Sequence, residues 1–156
     1  MSRSEFRLQR VLELRHWEEQ ERAGKLSAAR LEMEAAAEVL ENLNEVRAAT
    51  QEQIARAHGS GGTVGQLQNL RVVLSQLDQK IDEATDRHEI AAAHVESSLA
   101  EYTEALQERR ILEKLRERHE ERNRRAENEA ERKELDEVAL TRFTRNESAF
   151  EPDEDG

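Results

Sequence analysis

The residues best suited to chemistry in this sequence are its five histidines, two of which are followed by glutamate. The pairs His88-Glu89 and His119-Glu120 resemble the start of a helical zinc-protease motif, which a second histidine four residues after the first completes. Neither pair is completed in that way. His88 and His94 are six residues apart, so they lie on different faces of a helix. The histidines therefore predict no metal site, and for His88 a place in a helix interface.

A second candidate for chemistry is the glycine-rich stretch Gly59-Ser60-Gly61-Gly62. A phosphate-binding P-loop also requires a lysine followed by serine or threonine, and this stretch has neither at the required place. The chain has no cysteine, so it holds no disulfide or thiolate site. These features predict a protein that is not an enzyme and that binds no cofactor.

The same glycine-rich stretch divides the chain into two elements. Three glycines in four residues end a helix, because glycine weakens a helix interior and readily adopts positive φ. Thr63 and Gln66 then fit a capping box, which predicts the start of a second helix. A connection this short favours antiparallel neighbours. The sequence therefore predicts an all-α fold, a long antiparallel two-helix coiled-coil hairpin.

This hairpin is predicted over residues 1–147, with a first arm at 2–58, a turn at 59–62 and a second arm at 63–146. Ser2 and Glu5 form a plausible capping box for the first arm. Residues 148–156 are predicted to be an acidic, disordered tail. Pairing symmetric about the break would place Phe6 near residue 115, so that the second arm continues beyond the first.

Both arms carry apolar residues in two rows with a seven-residue period, the a and d positions of a coiled coil. The first arm's seam is densest from Leu26 to Leu43, and the second arm's runs from Leu67 to Leu112. The first seam is interrupted by charged side chains, which argue against a long continuous self-interface: Arg15, Glu19, Arg22, Arg47.

The composition limits the partners that the chain can have. Charged residues make up 38% of the 156 residues, and the net charge is −11. An acidic surface disfavours nucleic-acid binding, which depends on displacing counterions with basic groups. No apolar run approaches the roughly 18 residues of a membrane span, and no signal peptide is recognisable. We therefore expect a soluble intracellular protein without direct membrane insertion.

Two apolar regions are not explained by a simple two-row seam. Near the N-terminus, the side chains of Phe6, Val11, Leu14 and Trp17 widen the apolar face. They could pack against the other arm or form a docking surface for another protein. Near the far end, a short amphipathic patch follows a highly charged stretch; it comprises Leu135, Val138, Ala139, Leu140 and Phe143. Nothing else in the chain is predicted to cover this patch, which favours a partner.

The two ends carry the motifs of a known family. Residues 6–15 read FRLQRVLELR, and Glu18, Glu21 and Ala23 follow. Residues 134–139 read ELDEVA, after an Arg- and Glu-rich run and before Arg142 and Arg145. With the glycine break between them, these motifs resemble the flagellar FliJ family over most of the chain.

This resemblance implies a non-enzymatic part of the flagellar type III export apparatus, similar in architecture to the stalk subunit of rotary ATPases. The paired ends would enter the ring of the hexameric export ATPase FliI and promote its assembly. The hairpin would also contact the export gate protein FlhA and export chaperones. The location implied is cytoplasmic, peripheral at the inner membrane. By the apolar pattern, the residues predicted to dock on the ATPase are Phe6, Leu8, Val11, Leu12, Leu135 and Val138.

The family binds the gate through one face of the second helix, soon after the turn. The positions of this sequence that match best are Val73, Leu77, Lys80 and Ala84. Leu77 and Ala84 also belong to the predicted seam, so core packing is an alternative for them. Two other functions stay open: the equivalent stalk of a virulence type III secretion system, and a structural coiled coil that self-associates into a four-helix dimer.

Overall fold

A computed structural model describes residues 5–149 of the chain and consists of two α-helices. Helix α1 spans Gln9–Gly59, and helix α2 spans Val64–Ser148. The fold is therefore all-α, and the two helices contact each other as a hairpin, as the sequence predicts. Ser2, the predicted first cap, and residues 150–156 of the predicted tail lie outside the described residues.

The glycine break forms the turn that the local sequence predicts. Gly61 has a φ of 76°, a value that glycine adopts without strain. The amide of Gly62 donates to the carbonyl of Ala57 at 2.9 Å, the long-range bond of a Schellman helix ending. On the other side, Gln66 N–H donates to Thr63 Oγ1 at 3.2 Å, and Thr63 N–H donates to Gln66 Oε1 at 3.3 Å. These two bonds are the predicted capping box, so the turn ends one helix and starts the next with satisfied backbone groups.

The chain divides into two compact units, of which the larger is Arg15–Glu108. Within this unit the helices run antiparallel, because Arg15 pairs with Glu108 near the start of α1, whereas Arg47 pairs with Asp78 near the turn. Five apolar side chains of the unit are buried: Leu26, Ala29, Leu77, Ala84 and Ala105. All five belong to the predicted heptad rows. In a coiled coil, the alternation of large and small residues along the seam lets the side chains of the two helices interlock.

The smaller unit contains the described residues 5–14 and 109–149. Phe6 lies before α1, and its carbonyl accepts a hydrogen bond from the Gln9 amide at 3.1 Å. Its ring lies 5.7 Å from that of His119, four residues farther along α2 than the simple count about the break predicts. One cause is that α1 continues through Gly59, so that the centre of the connection lies later in the chain. Another is that Phe6 precedes the helix and reaches along α2 from a turn.

The end of α2 differs from the rest of the helix in its surroundings. Every residue from 131 to 149 is exposed, although the helix continues to Ser148. Hydroxyl groups here bond back to their own helix: Thr141 Oγ1 donates to the Glu137 carbonyl at 2.8 Å. No other described segment packs on this end, so its helical form depends on local interactions alone.

Candidate docking surfaces

The N-terminal candidate surface lies on the turn before α1 and on the first turns of α1. Leu8 and Val11 are 39% and 38% exposed, and Leu14 is more exposed still. Leu12 is fully buried at 0% exposure, so it belongs to the core of the smaller unit. Of the predicted ATPase-docking residues in this region, Leu8 and Val11 therefore present apolar surface to a partner. Leu12 can act only indirectly, by packing in the core and so stabilising the turns that carry Leu8 and Val11.

Phe6 has an intermediate position between core and surface. Its ring packs on His119 with an interplanar angle of 46°, and Asn123 Nδ2 lies 3.4 Å from His119 Nε2. A shallow cleft of about 460 Å³ lies beside this contact, and its walls include Gln9 and Arg116. The walls carry both charges and contain no nucleophile next to a base, so the cleft offers docking space rather than a reaction centre.

The C-terminal candidate surface is the predicted amphipathic patch of α2. Leu135 is 69% exposed and Val138 is 50% exposed, and both predicted docking residues thus face solvent. Leu140 and Phe143 are exposed to a similar degree. An apolar group of this size on a single helix is a typical partner-binding feature.

The structure does not bring the two candidate surfaces together. Both belong to the smaller unit, but Leu135 lies 16 residues beyond His119, the residue that Phe6 contacts. At about 1.5 Å per residue, this separation along α2 is roughly 24 Å. A partner that binds both surfaces must therefore be extended along α2.

The four predicted gate-binding residues divide into two pairs. Leu77 and Ala84 are 8% and 5% exposed and contribute to the core of the larger unit. Val73 and Lys80 are exposed. Only the second pair can contact a partner while the helices stay packed.

Charged pairs connect the helices in the larger unit. Arg15 Nη1 lies 2.7 Å from Glu108 Oε2, and Arg22 Nη1 lies 3.4 Å from Glu101 Oε2. A hydrogen bond to Glu18, together with the charge of Glu108, raises the pKa of Arg15. Three of the four predicted interruptions of the seam, Arg15, Arg22 and Arg47, thus make cross-helix contacts, which align α1 with α2. This role was not predicted, although acidic residues at matching positions of the second arm could have indicated it.

The described part of the chain lacks two other kinds of site. Neither helix has a stretch that is both long and apolar enough to span a membrane. Among residues 5–149, no three histidine, aspartate or glutamate side chains are grouped so that they could hold a metal ion.

The fold and these surfaces define a class of protein: a long helical hairpin with uncovered apolar side chains on its helices. The model of the flagellar FliJ protein family matches residues 4–148, and the chain belongs to this family. It is accordingly a flagellar, export-related component. No curated protein and no solved structure matches the chain.

Proposed function

We propose that this chain is a non-enzymatic coiled-coil stalk that binds the hexameric flagellar export ATPase and promotes its assembly. The observation that carries the proposal is the exposed apolar surface in the smaller unit, at Leu8 just before α1, at Val11 on α1, and at Leu135 and Val138 on α2. Exposed apolar groups of this kind gain free energy when a partner covers them. The two surfaces are roughly 24 Å apart along α2, and the inner wall of a ring can contact a helix over such a length.

We further propose that the exposed pair Val73 and Lys80 contacts the export gate, and that the hairpin receives export chaperones. Through these contacts the chain would be peripheral at the cytoplasmic face of the inner membrane. Leu77 and Ala84 support this surface from the core and do not touch the gate. The family match favours a flagellar apparatus over a virulence secretion system.

ATP hydrolysis by the cognate export ATPase, with and without this chain, tests the proposal. We expect the chain to raise both the hydrolysis rate and the fraction of hexamer. The double variants Leu8→Ala/Val11→Ala and Leu135→Ala/Val138→Ala should each weaken this effect, because they remove apolar contact without opening the core.

A matched control uses Leu31→Ala/Ile90→Ala, since both residues are exposed apolar side chains of the larger unit. This variant should stimulate the ATPase as the unmodified chain does. An unchanged rate and hexamer fraction with the unmodified chain would contradict the stalk proposal. Equal losses in the control would show that the effect does not come from the proposed surfaces.

For the gate, the test is binding of the purified cytoplasmic part of the gate protein. Val73→Ala/Lys80→Ala should weaken it, and Leu31→Ala/Ile90→Ala should leave it unchanged. Gate binding that survives the first variant would assign the contact to another face.

A further inference from the structure

Basic side chains form an exposed stripe on α2 in the smaller unit. Lys114, Arg118, Arg122 and Arg125 follow one another at intervals of four, four and three residues, so they lie along one side of the helix. All four are exposed. Arg125 pairs with Glu121 at 2.9 Å, whereas the other three have no ion pair among the described residues. The stripe therefore carries unneutralised positive charge on a strongly acidic protein.

An acidic stripe of the same length lies on α1 in the larger unit. Glu45, Glu41, Glu38 and Glu34, taken backwards along the chain, are separated by four, three and four residues. All four are exposed, and none has an ion pair among residues 5–149. Elsewhere the helices place opposite charges close together, as in Arg56 with Glu52. In the two stripes, by contrast, four charges of one sign follow one another along one side of a helix, although Glu121 also lies on the side of α2 that carries the basic stripe.

Apolar surface accompanies each stripe. Ile111, which is 60% exposed, lies one turn before Lys114 on the same side of α2. Beside the acidic stripe, an open groove of about 460 Å³ is lined mainly by apolar atoms, among them those of Leu40 and Ala48. If an α2 segment lies antiparallel on α1 with Lys114 facing Glu45, then Arg118 faces Glu41, Arg125 faces Glu34 and Ile111 faces Ala48. In this register Arg122 faces Ala37 and Glu38 faces Glu121, so three of the four basic residues oppose a glutamate.

We propose that the basic stripe of one copy of this chain docks antiparallel on the acidic stripe of a second copy. Three features of the chain favour a second copy as the occupant: opposite charge, an antiparallel register in which three of the four basic residues oppose a glutamate, and an exposed isoleucine that meets an apolar groove. An unrelated acidic partner would satisfy only the first of these. The proposal does not depend on binding to an export ATPase.

The proposed contact between two copies should be weak. Exposed ion pairs contribute little individually, and the net charge of −11 on each copy opposes association. The association should therefore appear at high protein concentration, as a reversible shift of mass from 18.0 kDa towards twice that value in sedimentation equilibrium. Complementary charge serves here mainly to select the partner and its direction.

Charge-swap variants test whether the two stripes meet. Lys114→Glu/Arg118→Glu replaces two groups of the basic stripe by acidic ones, and Glu41→Arg/Glu45→Arg gives the acidic stripe basic groups at the positions that face them. Each variant alone should dissociate, with its Kd raised at least about tenfold. An equimolar mixture of the two should associate again, because the intact acidic stripe of the first variant meets the intact basic stripe of the second.

The matched control is Arg71→Glu/Arg87→Glu, which makes the same change of charge at two exposed arginines of α2 outside the stripe. It should associate as the unmodified chain does. Helical circular dichroism of each variant tests whether the substitutions leave the fold intact.

Three results would overturn the proposal: an unmodified chain that stays at 18.0 kDa at its highest soluble concentration, single variants that still associate, or a mixture that stays monomeric. None of these three measurements requires the ATPase. Loss of self-association with normal ATPase stimulation would separate this contact from the stalk function.

Discussion

Two stretches of α2 show how differently one continuous helix can be stabilised. Between residues 77 and 105, four side chains are buried against α1: Leu77, Ala84, Ser98 and Ala105. Between residues 131 and 149, every side chain is exposed. Both stretches consist largely of good helix formers, so backbone propensity does not separate them. The difference lies in whether a second helix covers the apolar face.

The comparison shows which part of the molecule is available for binding. Burial against α1 contributes most of the stability of the central seam, because isolated helices gain little from propensity and i,i+4 pairs. The apolar side chains at the end of α2 make no such contribution within the chain. A partner that covers them would therefore add stability to this end as it binds.

The largest expected contrast is in amide hydrogen exchange. Amides at 77–105 should open only by global unfolding, which for a domain costs about 5 kcal/mol or more, whereas those at 135–147 open locally at little cost. Exchange at the far end should accordingly be faster by a factor of about a thousand or more. Mass spectrometry of overlapping peptides measures both stretches in one experiment. Equal protection would show that the far end has a stabilising partner, such as another copy.

A truncation of the same chemical kind should have different effects in the two regions. Leu26→Ala removes a side chain that is 5% exposed and should lower the free energy of unfolding by about 2–4 kcal/mol. Leu135→Ala should change it by less than about 0.5 kcal/mol, because this side chain is already in water. Urea unfolding followed by circular dichroism measures both values. Comparable losses would contradict the assignment of the seam as the stabilising region.

The smallest contrast concerns ion pairs. The cross-helix pair Arg22–Glu101, at 3.4 Å, should show a coupling of about 0.2–1 kcal/mol in a double-mutant cycle of alanine substitutions. The pair Arg125–Glu121 lies within α2, with 2.9 Å between its charged atoms. Its coupling energy should be smaller, because this pair does not depend on contact between α1 and α2. Urea unfolding of the four chains of each cycle provides the couplings. A larger coupling energy for Arg125–Glu121 than for Arg22–Glu101 would show that an ion pair within α2 stabilises the fold more than one between the helices.

The sequence was sufficient to predict the features that depend on neighbours along the chain. Thr63 and Gln66 are three residues apart, and their reciprocal bonds form wherever a helix starts there. The glycines end α1 for an equally local reason. The seven-residue spacing also predicted the face of each helix that becomes buried, and Leu26, Ala29, Leu77 and Ala84 all lie on it.

The candidate site could be predicted only in part, because exposure depends on the facing helix. Leu8 and Leu12 have similar chemistry and lie one turn apart, yet Leu12 is buried and Leu8 is partly exposed. Likewise, Val73 and Leu77 both match the apolar rhythm after the turn, but only Val73 is exposed. Apolar spacing indicates that a side chain tends to leave water, and it does not indicate whether this chain or a partner covers it.

The sequence by itself thus determined the two helices, their turn and their seam, because hydrogen bonding and periodicity act over a few residues. Only the tertiary structure decided the offset between the helices, which places Phe6 on His119 and pairs Arg15 with Glu108. That offset depends on where α1 ends and on contacts between residues about a hundred positions apart. Short-range patterns cannot encode it.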